Sequence, residues 1–336
     1  MKSQPVTQEL HFIFPLFKTI SSDIMSFLVS IAGIAMLAQI VLGTFANVFI
    51  VLVTCTDCIR RRKLFLADGI LTSLAFCRIG MLWVILISWC SIVFHQALSL
   101  QVRFSICVGW AVTNHFNMWL ATILSILYLL KIGNFSNLIF LGLKRKIKSV
   151  FIVVLLASLV LLFPNLITVT VCETVQANGY RGNLTGKTKR TYFMNLTAMI
   201  SFTLDNIISF TISMVCFLLL IYSLCKHLRT MRLYGKGPHN PSASAHIKAL
   251  QAVISFLLLF SMFILSLIIS GYNYMKPLNE PVHLICQLIG TLYPSSHSYV
   301  LLWGNRRIKL AFVLAMVQVR ARLWLKEKNL EVLQPI

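Results

Sequence analysis

Few side chains in this sequence have both the type and the setting for chemistry, and most of those stand inside apolar runs. Arg78 falls within LAFCRIG, in a stretch with no other acidic, Lys or Arg residue from 69 to 102. A guanidinium among hydrocarbon is either hydrogen-bonded to neighbours or functional. Two roles stay open for it. One is a structural clasp between helices, with Asn47 and Ser298 at depths that could receive its hydrogen bonds. The other is a switch in which those bonds rearrange. Asp205 likewise could meet a cationic ligand or cap a polar network. Trp110 and Asn114 are four apart and so share a helix face, with His115 beside them. Together with Trp89 and Gln287 they form a candidate pocket of aromatic walls and neutral hydrogen-bonding groups. Trp89 fits an interfacial aromatic belt equally well. Asn114 does not, because an amide in lipid needs a partner.

Catalytic chemistry is not written in the chain. It has no HExxH, no GxSxG, no GxxxxGK[ST] and no pair of intramembrane aspartates. His115, His283 and His297 are scattered and read as packing histidines rather than metal ligands. Cys55 and Cys58 form one CxxC with no second ligand pair, which suits free or lipidated thiols better than zinc. No acidic ring suggests an ion filter. The expectation is a non-enzyme without a cofactor.

These residues must be positioned by membrane helices. Only 12% of the chain is charged and 58% is hydrophobic, against about 25% charged in a soluble protein. A span takes about 20 mostly apolar residues. Seven stretches qualify: 24–54, 69–94, 104–130, 149–169, 196–224, 247–270 and 283–304. In lipid each has to be helical, since only a helix satisfies its own backbone. The expected fold is therefore an all-α membrane protein, a bundle of seven transmembrane helices.

Charge orients the bundle. Of the 30 Lys and Arg residues, 21 fall in the first, third and fifth connections and the C-terminal tail, and 8 on the other side. Positive loops face the cytoplasm, so the N-terminus is expected outside and the C-terminus in the cytoplasm. Residues 1–23 then form an extracellular segment, 24–304 the transmembrane domain and 305–336 a cytoplasmic tail. Within that tail, residues 310–319 are apolar, too short to span and flanked by cations, which fits an interfacial helix on the inner leaflet. The net charge of +21 follows this topology and does not indicate nucleic acid. No cleavable signal peptide or internal repeat is evident, and Gly235–Pro238 reads as a loop tip. Four Asn residues precede Ser or Thr by two. Asn240 is excluded by Pro241, Asn134 by its cytoplasmic side. Asn183 is the expected glycosylation site. Asn195 lies close to the fifth span, and its modification is left open.

The segment 119–147, WLATILSILYLLKIGNFSNLIFLGLKRKI, begins as membrane helix and changes at Lys131 into a cationic turn without acidic residues. Its wording also carries a resemblance. Seven spans with an outside N-terminus suggest a G-protein-coupled receptor, yet common signatures are replaced. Tyr128 stands where an acidic-Arg-Tyr motif is usual, Arg78 where an aspartate binds sodium, and His297-Ser298-Tyr299 where an Asn-Pro motif is usual. These departures resemble the bitter taste receptor family, the type 2 taste receptors. Gly43, Asn47 with Val48-Phe49-Ile50, Leu74-Ala75 with Arg78, and WLATILSILYLLKIGNFSNLIF carry the match. KHLRTM from Lys226, PSASAHIKAL from Pro241 and PSSHSYVLLWGN from Pro294 extend it. Cys77, Asn240, Gln251, Phe263 and Trp303 depart from the family wording.

The resemblance implies a plasma-membrane, multi-pass receptor for small bitter compounds. It implies coupling to a gustducin-type heterotrimeric G protein, then phospholipase C and calcium. Its ligand site would be lined by Trp89, Trp110, Asn114, His115, Phe263 and Gln287. Asn47, Arg78, Tyr128, His297 and Ser298 would hold structure or switch activation. Lys131, Lys144, Arg145, Lys146, Lys226, His227 and Arg229 would face the G protein, although topology alone accounts for their charge. Membrane lipids are the other partner, and self-association of receptors stays open. Many receptors join the third helix to the second outer loop by a disulfide. Cys107 and Cys172 are the candidates, and whether they pair is left open.

Overall fold

Backbone amides surrounded by apolar side chains bond within their own segment, so helices are what this sequence can build. The computed structural model describes residues 6–61, 65–94, 99–179, 187–233, 241–275 and 280–332. The described residues contain nine helices: α1 (Val6–Arg61), α2 (Leu66–Val93), α3 (Leu100–Ile132), α4 (Leu138–Arg145), α5 (Ile147–Gly179), α6 (Lys187–Leu233), α7 (Pro241–Met275), α8 (Glu280–Gly304) and α9 (Arg306–Val332). Each of the seven expected spans lies almost wholly within one of them. Six helices (α1, α2, α3, α5, α6 and α7) contain stretches long and apolar enough to cross a membrane. The seventh, α8, carries Thr291, Ser295, Ser296, His297 and Ser298, and is packed between α1 and α7. The fold is a seven-helix bundle.

α3 is the hub, contacting α2, α5 and α6. Its apolar stretch is 72% buried, against 11% for that of α5, whose faces are left mostly for lipid. In lipid, association cannot rest on hiding apolar surface, so close packing and interhelical hydrogen bonds matter more. Both are present. At Gly43 an added Cβ would stand 2.5 Å from Ser295 Oγ, so only glycine lets α1 approach α8 this closely. Beside it Ser295 Oγ donates to the Gln39 carbonyl (2.9 Å), Thr291 Oγ1 to Gln39 Oε1 (2.6 Å) and Tyr299 OH to the Leu42 carbonyl (2.9 Å). On the α3–α6 seam Thr122 Oγ1 lies within hydrogen-bond distance of Ser209 Oγ (3.0 Å) and Ser213 Oγ (2.8 Å).

Three features differ in extent from the sequence reading. α1 begins at Val6, well before residue 24. The cationic stretch after α3 contains a short helix, α4, whose first turn is capped by Asn137 Oδ1 accepting from the Ile139 amide (3.0 Å). The tail helix runs from Arg306 to Val332 rather than over ten residues, and Asn305 Oδ1 caps its start at the Arg307 amide (3.1 Å). It docks through Ile308, which is buried, and Phe312, edge-on to Phe49 at 5.2 Å. The Gly235–Pro238 stretch, Arg62, Lys63 and Asn183 lie outside the described residues.

Candidate functional site

Six helices enclose a cavity of about 440 Å³ at the end of the bundle where α3 begins, within the range of small-molecule sites, roughly 300–1,000 Å³. Its wall is mainly apolar and aromatic. Trp110 on α3 stacks on Phe202 of α6, ring centroids 4.6 Å apart. Met81 and Ile85 come from α2, Phe263 from α7, and Gln287 with Cys286 from α8. Polar groups are few: Ser88, Asn165, Thr168, Thr203, Ser266, Ser270, Gln287 and Glu173. Such a wall offers an uncharged ligand burial and stacking, and a few hydrogen bonds to orient it.

Of the six residues anticipated for the ligand site, Trp110, Phe263 and Gln287 line this cavity; Trp89, Asn114 and His115 do not. Trp89 packs outward onto α1, where its ring lies 2.9 Å from the place a Cβ on Gly33 would take. Asn114 is fully buried one turn deeper, and its Nδ2 donates to Asn206 Oδ1 of α6 at 3.0 Å. His115 faces Asp205: the two are 2.9 Å apart. Asp205 also accepts from Trp119 Nε1 (2.9 Å) and Asn165 Nδ2 (3.0 Å). The two readings of Asp205 are thereby separated. Its carboxylate is 5% exposed and engaged by three neighbours, so it ties α3, α5 and α6 rather than standing ready for a ligand.

Arg78 is completely buried between α2, α3 and α8. Its Nε donates to Asn117 Oδ1 (3.2 Å) and its Nη1 to Ser298 Oγ (3.2 Å), while Nη2 meets His297 Nδ1. Ser298 Oγ donates in turn to Asn47 Oδ1 at 2.8 Å. Asn47 therefore belongs to the cluster one step removed from the guanidinium. Asn117, absent from the sequence-based set, is a direct partner. The signal for it was present: Asn114 and Asn117 are three apart on α3, and a second buried amide beside an intramembrane arginine needed a partner too.

Cys107 and Cys172 both line the cavity, and no disulfide joins them. Cys107 Sγ instead donates to Glu173 Oε1 at 3.4 Å, and Arg103 pairs with Glu173 Oε2 at 3.1 Å. Neither Arg103 nor Glu173 was singled out in the sequence. A charge at a span end is ordinary there, and only the packing of α3 against α5 brings them together. No group of metal-ligating side chains occurs among the described residues.

A family model of taste receptor proteins matches residues 24–320. Taste receptor type 2 member 136 of Mus musculus is 74% identical over 305 residues, 91% of this chain and 99% of that one. Putative taste receptor type 2 member 33 of Homo sapiens is 49% identical, over 89% of this chain and 97% of its own length. Human taste receptor type 2 member 31 is also 49% identical, covering 85% and 92%. The chain belongs to the type 2 taste receptor family. It is accordingly a bitter taste receptor and a multi-pass membrane protein, and its family are receptors rather than enzymes.

At the other end of this taste receptor, Tyr128 packs between the two main apolar clusters, flanked by Leu127 and Leu129. Where α3 ends, the Asn134 amide donates to Ser223 Oγ of α6 at 3.1 Å, and Phe135 packs on Phe140 of α4. Lys131, Arg145 and Lys146 are exposed, as are Lys226 and His227 of α6. The ring of His227 lies 4.8 Å from that of His246 on α7. Lys144 is exposed too, and its Nζ donates to the Gly133 carbonyl at 3.5 Å. Arg229 completes the basic set on the last turns of α6.

Proposed function

We propose that this receptor binds small bitter compounds from the extracellular side and activates a gustducin-type heterotrimeric G protein, leading to phospholipase C and calcium release. The observation that carries this reading is the cavity lined by Trp110, Phe202, Phe263 and Gln287, lying at the opposite end of the bundle from the basic set on α4 and α6. The excess of Lys and Arg at that basic end supports a cytoplasmic assignment, with the cavity opening outside and the receptor in the plasma membrane. Trp110, Phe263 and Gln287 contact the ligand directly. Asn114, His115 and Trp89 support the wall from behind. Lys131, Lys144, Arg145, Lys146, Lys226, His227 and Arg229 meet the G protein, and α9 lies on the inner leaflet through its apolar side chains.

A ligand shifts a two-state bundle only by its differential affinity for the two states. Phe263 lines the cavity and lies 5.0 Å from Tyr293, which stacks on His297, the neighbour of Arg78. Ligand contact on Phe263 thus bears on the side chains that hold α8 to α2. The test is calcium release evoked by a panel of bitter compounds in cells with and without the matching Gα subunit. A response that depends on that subunit is expected. An evoked current or uptake that survives its removal overturns the receptor reading in favour of a channel or transporter.

A further inference from the structure

Glu173 is the only Asp, Glu, His, Lys or Arg among the described residues lining the cavity. Acidic residues are scarce throughout, nine in the whole chain. This one is 8% exposed, on the last turns of α5, with its two oxygens held differently. Oε2 faces the Arg103 guanidinium, whose side chain is 37% exposed and which does not line the cavity. Oε1 accepts from the thiol of Cys107, a weak donor at 3.4 Å. An ammonium N–H is a far stronger donor to a carboxylate, and such charge-assisted bonds are about twice as strong as neutral ones. Exchanging the thiol for an ammonium is therefore favourable at Oε1. In a largely apolar cavity the field of one carboxylate is weakly screened, so it discriminates ligands by charge.

We propose that Glu173 selects protonated amines for this cavity, with Arg103 as the counter-ion against which a cationic ligand competes. This rests on the cavity being the ligand site. It adds a charge preference to that site. Arg103 sets the threshold: it cancels part of the carboxylate's field in the empty cavity, and a ligand cation gains most when it draws Glu173 away from it.

The test needs neither an agonist nor a G protein. In a full-length receptor carrying Cys172→Ser and Cys286→Ser, Cys107 is the remaining cysteine among the described cavity residues. Its rate of disulfide formation is measured with 2-aminoethyl methanethiosulfonate, a primary ammonium with N–H donors, and with 2-sulfonatoethyl methanethiosulfonate, an anion. In each case the thiolate displaces methanesulfinate and is left as a mixed disulfide. A Cys107→Ser receptor gives the background. Taking the ratio of the two rates cancels any change in the thiol itself. The cationic reagent is expected to react faster, Glu173→Gln to lower the ratio about tenfold, and Arg103→Gln to raise it. A ratio that neither substitution moves, or a Cys107 that neither reagent reaches, overturns the proposal. Where Glu173→Gln does not reach the cell surface, an unmoved ratio in Arg103→Gln alone does so. A shifted ratio in a receptor that evokes no calcium leaves the charge preference standing and counts against the signalling reading instead.

Discussion

The guanidinium of Arg78 lies 5.4 Å over the ring of Tyr293. A cation over an aromatic face is attracted by its quadrupole, by about 2 kcal/mol when desolvated. Tyr293 is itself buried among Phe256, Phe260, Phe263 and His297. The arginine that ties α2, α3 and α8 and the aromatic cluster beneath the cavity are thus in one contact group. Tyr293→Phe keeps the ring and is expected to keep signalling. Tyr293→Leu is expected to lower maximal calcium response at unchanged surface expression. Equal responses from the two variants would falsify the coupling.

Arg78→Met removes the donors that Asn117 and Ser298 accept from. Each buried polar group left unsatisfied costs about 1–3 kcal/mol. The variant is expected to reach the surface poorly and to melt earlier in detergent. Arg78→Lys keeps the charge but not the fork of donors, and should fall between the two. A wild-type melting temperature for Arg78→Met contradicts the clasp.

Trp110→Ala deletes one face of the Trp110–Phe202 stack that walls the cavity. Aromatic pairs contribute about 0.5–1.5 kcal/mol beyond their buried area. Agonist potency should fall by about tenfold or more at normal surface expression, since 1.4 kcal/mol is a factor of ten. Asn114→Ala acts elsewhere, on the bond to Asn206, and should lower expression more than potency. Dose–response curves normalised to surface receptor separate the two, and superimposable curves for Trp110→Ala and wild type remove Trp110 from the ligand site.

Asp205→Ala strips His115, Trp119 and Asn165 of a shared acceptor. Trp119→Phe removes one of those donors and should cost about 1 kcal/mol. Asp205→Ala should cost several times more, read as thermal stability of the purified receptor. If instead Asp205→Ala spares stability and abolishes response to cationic agonists alone, the carboxylate contacts ligand.

Gly43→Val forces a side chain into the α1–α8 contact, where Ser295 leaves 2.5 Å. Overpacking of this kind costs about 1–3 kcal/mol. Gly142→Ala is the control, since a Cβ there meets no atom within 4 Å, and helix propensity favours alanine over glycine by about 1 kcal/mol. Surface expression should drop for the first and hold for the second. A normal level for Gly43→Val means the two helices separate without cost.

Asn183→Gln should abolish a glycan-dependent shift in gel mobility, placing that loop outside the cell. A wild-type receptor that shows no such shift counts against the external assignment.

The sequence by itself determined the number and approximate place of the spans, because twenty apolar residues in lipid admit one backbone solution. It determined the family as well, through an ordered set of motifs across the chain. It also showed that Arg78 needed partners and named Ser298, which bonds it, and Asn47, which bonds Ser298 instead. Tertiary structure alone decided which polar groups meet each other. Asn114 and His115 share the first half of α3 with Trp110, yet only Trp110 lines the cavity. A helix turns about 100° per residue, and the neighbours α5 and α6 decide which direction opens on space and which on Asn206 or Asp205. Glu173 and Arg103 are seventy residues apart, and only the packing of α5 against α3 makes them an ion pair. Periodicity records which residues lie together on one helix. It does not record the rotation of one helix against another, and that rotation decides which of those residues reach the ligand.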